Sequence, residues 1–297
     1  MLDRRSPQTG TILARSKGAF ALGVGHPGYF GRVSSSAERN RLGNPYAAAF
    51  FDLDRTLISG SSAFTFGVAA WRQDMVPTSQ FARDAYGAIA FRFAGASDTT
   101  VDQVRERMLS AVRGARQADL VALNGIVVPK LLERIRPEAR SLLELHRKAG
   151  RDTYIVSASP RELVEALAQA LGMTGGIGTV GAVVDGVYSG DLVGPFCYGP
   201  GKVEAITDIA ELERYDLDRC YAYSDSASDL PMLEAVGHPV AVNPDARLER
   251  VAHQRGWPIV IFSQRTKTVA KRTSTAVGAL ALAGTAFGAG IRLGRRR

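Results

Sequence analysis

Cysteine and histidine are scarce in this chain of 297 residues, which contains two cysteines and four histidines. Cys197 and Cys220 do not form a C-x-x-C pair, so the sequence supports neither a disulfide framework nor a structural zinc site. We therefore expect a reduced, cytoplasmic body. No histidine accompanies a G-x-S-x-G motif, which argues against a serine hydrolase built on a nucleophile elbow.

A uniform basic character is also missing, although the formal net charge is +8. Residues 1–45 carry seven Lys or Arg against two acids, residues 264–297 carry eight against none, and residues 46–263 carry 22 against 27. The body of the chain is acidic and only its ends are basic. We therefore expect no specific binding of nucleic acid, whereas the ends can seek anionic surfaces.

The two ends lack the patterns of folded domains. Residues 1–45 are rich in Gly, Ser, Pro and Arg without a sustained period, which predicts a basic disordered extension and no cleaved signal peptide. Residues 264–297 form a basic tail in which residues 275–291 carry no charge. Such a run is near the lower limit for a membrane span, and an interfacial helix or a plain basic extension stay open as alternatives. The tail thus predicts that an anionic membrane is a possible partner and that residues 264–297 anchor the protein to it.

The most informative segment is Phe-Phe-Asp-Leu-Asp-Arg-Thr-Leu at residues 50–57. Asp52 and Asp54 follow an apolar run that predicts a buried strand, and ligands of open α/β sheets bind at the carboxyl ends of strands. Residues two positions apart share one face of an extended chain, so the two carboxylates repel unless a cation or a shared proton neutralises them. Oxygen ligands of this kind suit Mg²⁺, and the pair predicts a metal.

Three further segments follow in order. An apolar strand leads into Ser157 and a helical pattern, and a strand-to-helix junction aims free N–H groups and the helix dipole at an anion. A glycine-rich loop ends in Lys202, and another strand ends in Asp225 and Asp229. Metal carboxylates, a hydroxyl and a lysine are what phosphoryl transfer requires, because its catalysis is mostly positioning and charge neutralisation.

The ordered motifs D-L-D-R-T, V-S-A-S, G-K and S-D-S-A-S-D resemble those of the haloacid dehalogenase-like hydrolases, and within them the phosphoserine phosphatase-like branch. The resemblance covers residues 46–263. The run Gly-Ser-Ser-Ala-Phe-Thr-Phe at residues 60–66 resembles an actinobacterial subgroup of hydrolases in this branch. Some members of this subgroup carry names that refer to inhibited morphological differentiation, which describes a phenotype and not a chemistry.

This resemblance implies a role for each acid. Asp52 would attack phosphorus and become an aspartyl-phosphate, and Asp54 would protonate the leaving oxygen and then activate water. Asp52, the main-chain carbonyl of Asp54, and Asp225 would hold Mg²⁺. Asp229 would act near the metal through water or through a lysine.

The resemblance also implies that Ser157 and Lys202 grip the phosphoryl oxygens, with Thr56 in a supporting role. Plainer interpretations remain. Ser157 or Ser159 would be a helix cap, and Lys202 would be a solvated lysine, although the dipole disfavours a cation at a helix N-terminus.

Two positions depart from the phosphoserine phosphatases. Ser61 stands nine positions after Asp52, where those enzymes carry an acid that receives the amino group of the substrate. Arg55 replaces their usual serine. An ammonium group buried without a partner is costly, so phosphoserine is predicted to be a poor substrate.

The predicted fold is α/β, a Rossmann-like doubly wound parallel sheet with an inserted helical cap. Residues 46–60 and 136–263 would form the core and residues 61–135 the cap, with helices at 101–112 and 120–132. A cap at this position closes over the site and selects the leaving group. The remaining predicted elements are helices at 138–148, 161–171, 202–212 and 230–236, strands at 153–156, 220–223, 240–242 and 259–262, and a hairpin with strands at 180–184 and 187–189.

The sequence thus predicts a Mg²⁺-dependent phosphomonoesterase acting on a small-molecule or lipid phosphate. A phosphotransferase that passes the phosphoryl group to another alcohol stays open. So does a regulatory protein that acts through its tails, with catalysis incidental.

Overall fold

The computed structural model describes residues 46–75 and 101–262. Both basic ends, including the tail predicted to meet a membrane, lie outside these residues. The helices are α1 Ser62–Arg72, α2 Val101–Val112, α3 Gln117–Leu132, α4 Pro137–Lys148, α5 Arg161–Ala170, α6 Pro200–Glu213, α7 Leu230–Glu234 and α8 Ala246–Arg255. The strands are β1 Ala48–Asp52, β2 Asp152–Pro160, β3 Gly175–Thr179, β4 Gly181–Val184, β5 Val187–Leu192, β6 Tyr221–Ser224, β7 His238–Val242 and β8 Ile259–Val260.

Six strands form one parallel sheet in the order β3-β2-β1-β6-β7-β8. Among the described residues, the first strand is the central β1; the sheet builds outward through β2 and β3, and the chain then returns to place β6 on the other side of β1. The strand order therefore reverses at β1, and such a switch point opens a crevice at the carboxyl edge. The predicted doubly wound fold is confirmed.

Helices cover both faces of this sheet, so its central strand is buried along its whole length. Because side chains alternate along a strand, Phe51 enters a core with α3, α4 and α5, whereas Phe50 enters the opposite core with α6, α7 and α8. Asp52 shares the parity of Phe50. Its side chain is therefore directed to the α6 side of the sheet.

Helices α1, α2 and α3 lie between β1 and β2 in the chain, where the sequence predicts the cap. The hairpin of β4 and β5 turns at Asp185 and Gly186, which both have positive φ, as a tight two-residue turn requires. Its second strand bridges to Arg116, just before α3. The division into core at 46–60 and 136–263 and cap at 61–135 stays a proposal.

Strand β3 was not predicted, and β2 extends beyond the predicted 153–156. The sequence Gly175–Thr179 has no apolar run, and a Cβ at Gly176 or Gly178 would come within 2.6 or 2.7 Å of backbone atoms of Val164 or Arg161. Close packing of α5 on β3 thus requires glycine. Within residues 46–75 and 101–262, no helix is long and apolar enough to cross a membrane.

Candidate active site

The predicted site residues meet at the carboxyl edge of the sheet. Asp52 ends β1 and pairs in register with Val156, the residue before Ser157 on β2. On the other side of β1, Phe51 pairs with Tyr223, so Ser224 and Asp225 lie at the level just beyond β1. Three neighbouring parallel strands therefore deliver the first, second and fourth motifs to one place.

Lys202 joins this group from the helix side. Its Nζ lies 2.6 Å from Oδ1 of Asp52 and 2.7 Å from Oδ2 of Asp229, and its side chain is only 3% exposed. Burial would lower the pKa of Lys202, but the carboxylates of Asp229 and Asp52 outweigh this and raise it. The lysine is thus a buried cation paired with two acids and not a solvated surface residue.

The glycine-rich loop before Lys202 has a steric reason. Gly199 has φ 53° and ψ −122°, a conformation that side-chain-bearing residues rarely adopt. A Cβ at Gly201 would overlap the carbonyl oxygen of Phe196. The two glycines allow α6 to start against the sheet edge, and Lys202 in its first turn then points at Asp52.

Asp229 orients the lysine. It is 2% exposed and accepts a hydrogen bond of 2.7 Å from Oγ of Ser224 as well as the contact from Lys202. Asp229 thus contacts a lysine, which is one of the two roles that the sequence left open for it. Ser224 opens the S-D-S-A-S-D motif but was not among the predicted site residues, since the sequence does not show which of its hydroxyls contacts an acid.

Asp54, in the same motif as Asp52, is held by the start of α1. Its Oδ1 accepts a hydrogen bond of 2.8 Å from the backbone N–H of Ser62, and its Oδ2 lies 3.4 Å from Oγ of Ser61. Burial raises the pKa of Asp54, while the hydrogen bonds from Ser62 oppose the shift. A raised pKa favours the protonated form that a general acid needs.

Ser61 therefore has a local role that its sequence position did not indicate. It is the N-cap of α1, where its Oγ accepts from the N–H of Phe64 at 3.3 Å. The same hydroxyl reaches Asp54, so the residue that replaces the substrate-binding acid of phosphoserine phosphatases supports the second aspartate. No negative charge is present at this position.

Ser157 is buried within β2, and its Oγ accepts from the N–H of Ser159 at 3.2 Å. The N-cap of α5 is Pro160, without a side-chain cap. The interpretation of Ser157 or Ser159 as a helix cap was therefore wrong, because β2 continues through both serines. Ser159 instead lies 2.8 Å from the hydroxyl of Ser62, which ties α1 to β2.

Asp225 has two neighbours from the first motif. Nε of Arg55 lies 2.9 Å from its Oδ2, and Oγ1 of Thr56 lies 3.5 Å from its Oδ1. Burial raises the pKa of Asp225 to about 6, with Arg55 opposing the shift and Asp229 adding to it. Asp245, which caps α8, also contributes to the negative field there.

The site carries more buried negative charge than its own cations neutralise. Burial raises the pKa of Asp52 to about 7, Lys202 opposes this shift, and Asp229 and Asp225 add to it. Lys202 is the buried cation of the group, whereas the side chain of Arg55 is 62% exposed. Carboxylate oxygens with an uncompensated charge are the donors that a hard divalent cation prefers, so the residues present fit Mg²⁺ in their chemistry.

The predicted metal set uses only two carboxylates, from Asp52 and Asp225, together with a main-chain carbonyl oxygen from Asp54. Within the two described stretches, no group of three or more His, Cys, Asp and Glu side chains could hold a metal ion by itself. The set of Asp52, Asp54 and Asp225 therefore stays a proposal.

Comparison with known proteins agrees with this geometry. The family model for haloacid dehalogenase-like hydrolases matches residues 49–234. The "Inhibition of morphological differentiation protein" of Streptomyces azureus is 43% identical over 223 residues, which cover 73% of this chain and 79% of that protein. A phosphoserine phosphatase of Mycobacterium tuberculosis is 38% identical over 237 residues, which cover 78% of this chain and 77% of that protein.

One similar solved structure is a protein of unknown function from Bordetella pertussis Tohama I. It superposes with a TM-score of 0.64 at 27% sequence identity and covers 72% of this chain and 98% of its own. The predicted resemblance, both to the family and to the subgroup named for morphological differentiation, is confirmed by these matches.

Proposed function

This chain belongs to the haloacid dehalogenase-like hydrolases, and we propose that it is a Mg²⁺-dependent phosphomonoesterase that works through an aspartyl-phosphate. The family and the phosphatase relatives support the hydrolysis of phosphate esters, so the chain is a phosphatase. The metal, the covalent intermediate and the roles of single residues are proposals that rest on the geometry described above.

Asp52 is the proposed nucleophile. One of its carboxylate oxygens forms a bond to phosphorus while the bond from phosphorus to the ester oxygen breaks. The salt bridge from Lys202 favours the ionised carboxylate, which burial alone would disfavour. The 2.6 Å contact with Lys202 also fixes the orientation of the carboxylate.

Asp54 is the proposed general acid and base. Its proton passes to the departing ester oxygen, and the resulting carboxylate then takes a proton from the water that attacks the aspartyl-phosphate. The hydrogen bonds from Ser61 and Ser62 hold the carboxyl group through both steps. They connect the acid to the first turn of α1, which begins the proposed cap.

Ser157 and Lys202 are proposed to hold the phosphoryl oxygens. Asp52, the main-chain carbonyl of Asp54, and Asp225 are the proposed residues for Mg²⁺, with Thr56 and Asp229 in support. When bound, the cation would neutralise charge that develops on the phosphoryl oxygens. Asp229 keeps Lys202 at the nucleophile, because its buried carboxylate is fixed by Ser224.

The proposed substrate is a phosphorylated small molecule. If residues 264–297 bring the site to an anionic membrane, the proposed substrate is instead a lipid phosphate. Ser61 offers no negative charge to an ammonium group, which argues against phosphoserine. Because one relative is a phosphoserine phosphatase from M. tuberculosis, the turnover of phosphoserine has to be measured.

One observation carries the proposal, namely the buried contact between Lys202 and Asp52 at the carboxyl edge of β1. Its test is to quench the protein during turnover of an aryl phosphate and to locate the bound phosphate by peptide mass spectrometry. We expect the phosphate on Asp52. A phosphate on any other residue would contradict the proposed mechanism.

A further inference from the structure

Arg55 follows the proposed general acid directly, and among the described residues its guanidinium group pairs with one acid. Nε lies 2.9 Å from Oδ2 of Asp225, whose side chain is 5% exposed, whereas the side chain of Arg55 is 62% exposed. Within the described residues, Nη1 and Nη2 donate no hydrogen bond, and Asp225 is the one acid that pairs with the guanidinium group. The double-donor end of the guanidinium group is thus available to a ligand.

The backbone fixes this arrangement. Arg55 has φ 62°, in the left-handed region that residues with a side chain rarely occupy, and its N–H donates to the carbonyl oxygen of Gly60 at 3.1 Å. Non-glycine residues in such conformations cost energy and are frequent at ligand sites. The turn presents Arg55 at the outside of the site, while Thr56 beside it is buried.

Arg55 differs from Lys202 in what it can still bind. Lys202 is buried and already contacts Asp52 and Asp229, whereas Arg55 is largely exposed and approaches Asp225 most closely through Nε. A guanidinium group can hold a carboxylate or a phosphate through two parallel hydrogen bonds. An exposed ion pair would by itself contribute little to stability, so stability does not account for an arginine here.

We propose that Arg55 is a specificity-determining residue that binds a second anionic group, a carboxylate or a further phosphate, on the leaving-group side of the substrate. This inference rests on the proposed function, since it places a phosphoryl group at Asp52. Nε stays on Asp225, and Nη1 and Nη2 face the second anion. The substrate class is then a phosphate monoester with an additional negative charge.

The test is calorimetric titration of the full-length protein in MgCl₂ with two phosphonates that cannot be hydrolysed. Carboxyethylphosphonate carries a carboxylate where propylphosphonate carries a methyl group. We expect the parent to bind the first about tenfold more tightly than the second, as for a charge-assisted bidentate contact. In Arg55→Ser this ratio should fall to about one.

Two further variants complete the experiment. Arg147→Ser removes an exposed arginine that pairs with Glu144 on α4, and it should keep the ratio of the parent. Arg55→Lys keeps the charge without the two-pronged geometry and should give an intermediate ratio. Equal affinity of the parent for both phosphonates, absence of binding, or an unchanged ratio in Arg55→Ser would overturn the inference.

The binding experiment tests the role of Arg55 separately from the proposed catalytic function. Because the phosphonates are not cleaved, a protein that discriminates between them through Arg55 but hydrolyses no ester would contradict the catalytic proposal alone. A protein that hydrolyses aryl phosphate but shows no discrimination would contradict only the role of Arg55.

Discussion

Lys202 and Asp52 lie 150 positions apart in the chain, and their side chains meet at 2.6 Å in the buried centre of the site. The contact forms because Asp52 is directed to the face of the sheet that α6 covers. Breaking one side of such a buried contact leaves a charge without compensation, which typically costs about 3–5 kcal/mol.

We therefore expect Lys202→Met to lower the free energy of unfolding by about 3 kcal/mol, measured by urea denaturation in EDTA. Lys148→Met, which removes an exposed lysine at the end of α4, is the matched control and should change it by less than about 0.5 kcal/mol. Adding Asp229→Asn to Lys202→Met should recover part of the loss, because it removes one of the unpaired acids. Equal stability of Lys202→Met and the parent would show that the contact is not a stabilising one.

Ser61 leads to a prediction about the amino group of a substrate. Phosphoserine and the phosphoglycerate that carries a hydroxyl in place of its amino group differ at one position only. We expect kcat/KM for phosphoserine to be no higher than for phosphoglycerate, since Ser61 supplies no charge to an ammonium group. A preference for phosphoserine above about 100-fold, nearly 3 kcal/mol of transition-state binding, would refute this.

Ser61→Glu supplies the gain-of-function counterpart. The variant should raise kcat/KM for phosphoserine relative to phosphoglycerate, while the hydroxyl contact with Asp54 and the N-cap of α1 are weakened. Ser59→Glu places the same charge on an exposed residue two positions earlier and serves as the control. If Ser61→Glu left the ratio of kcat/KM for phosphoserine to that for phosphoglycerate unchanged, position 61 would not contact the ammonium group.

His146 predicts a pH dependence of stability away from the site. It is buried, and its Nε2 lies 2.8 Å from the hydroxyl of Tyr223. Burial lowers the pKa of His146 to about 3, and Arg151 adds to this shift. The unfolded chain, with a histidine pKa near 6.5, therefore takes up the proton first as pH falls, and stability decreases between about pH 6.5 and pH 3.

Between pH 8 and pH 5, titration of His146 should lower the free energy of unfolding by about 2 kcal/mol. His146→Gln can keep a polar contact with Tyr223 but does not titrate. Over the same interval its free energy of unfolding should therefore fall by about 2 kcal/mol less than that of the parent. Comparison of the two proteins cancels the opposite contribution of acids with raised pKa values, such as Asp225. Identical pH dependence in both would contradict a neutral, buried His146.

The tail gives a prediction about location. Flanking cations should add about 1 kcal/mol each at an anionic surface, so full-length protein should float with anionic vesicles at low salt. A chain that ends at Phe262 keeps only the basic residues 1–45 and should float less. A spanning tail would stay bound at high salt, and an interfacial one would be released. Because all four motifs precede Phe262, the shorter chain should keep its phosphatase activity. Full-length protein that never floats would exclude a membrane role for the tail.

The sequence predicted the meeting of the motifs because parallel strands end at one edge, so acids at the ends of β1 and β6 had to converge. It could not predict contacts that depend on side-chain packing between distant elements. The hydroxyl pair of Ser62 and Ser159 and the contact of Arg55 with Asp225 have no periodic signature. Strand β3 escaped prediction for a related reason, since its glycines are required by the backbone of α5 and not by strand propensity.

Hydrolysis of an aryl phosphate by Asp52→Asn tests the central claim most directly. Loss of the nucleophile should lower kcat by at least about 10³-fold, while Asp208→Asn, an exposed acid on α6, should leave it near that of the parent. Thermal melting of both variants would show that they are folded. If folded Asp52→Asn kept a tenth of the parental turnover, Asp52 would not be the nucleophile and the mechanism proposed for this phosphatase would be wrong.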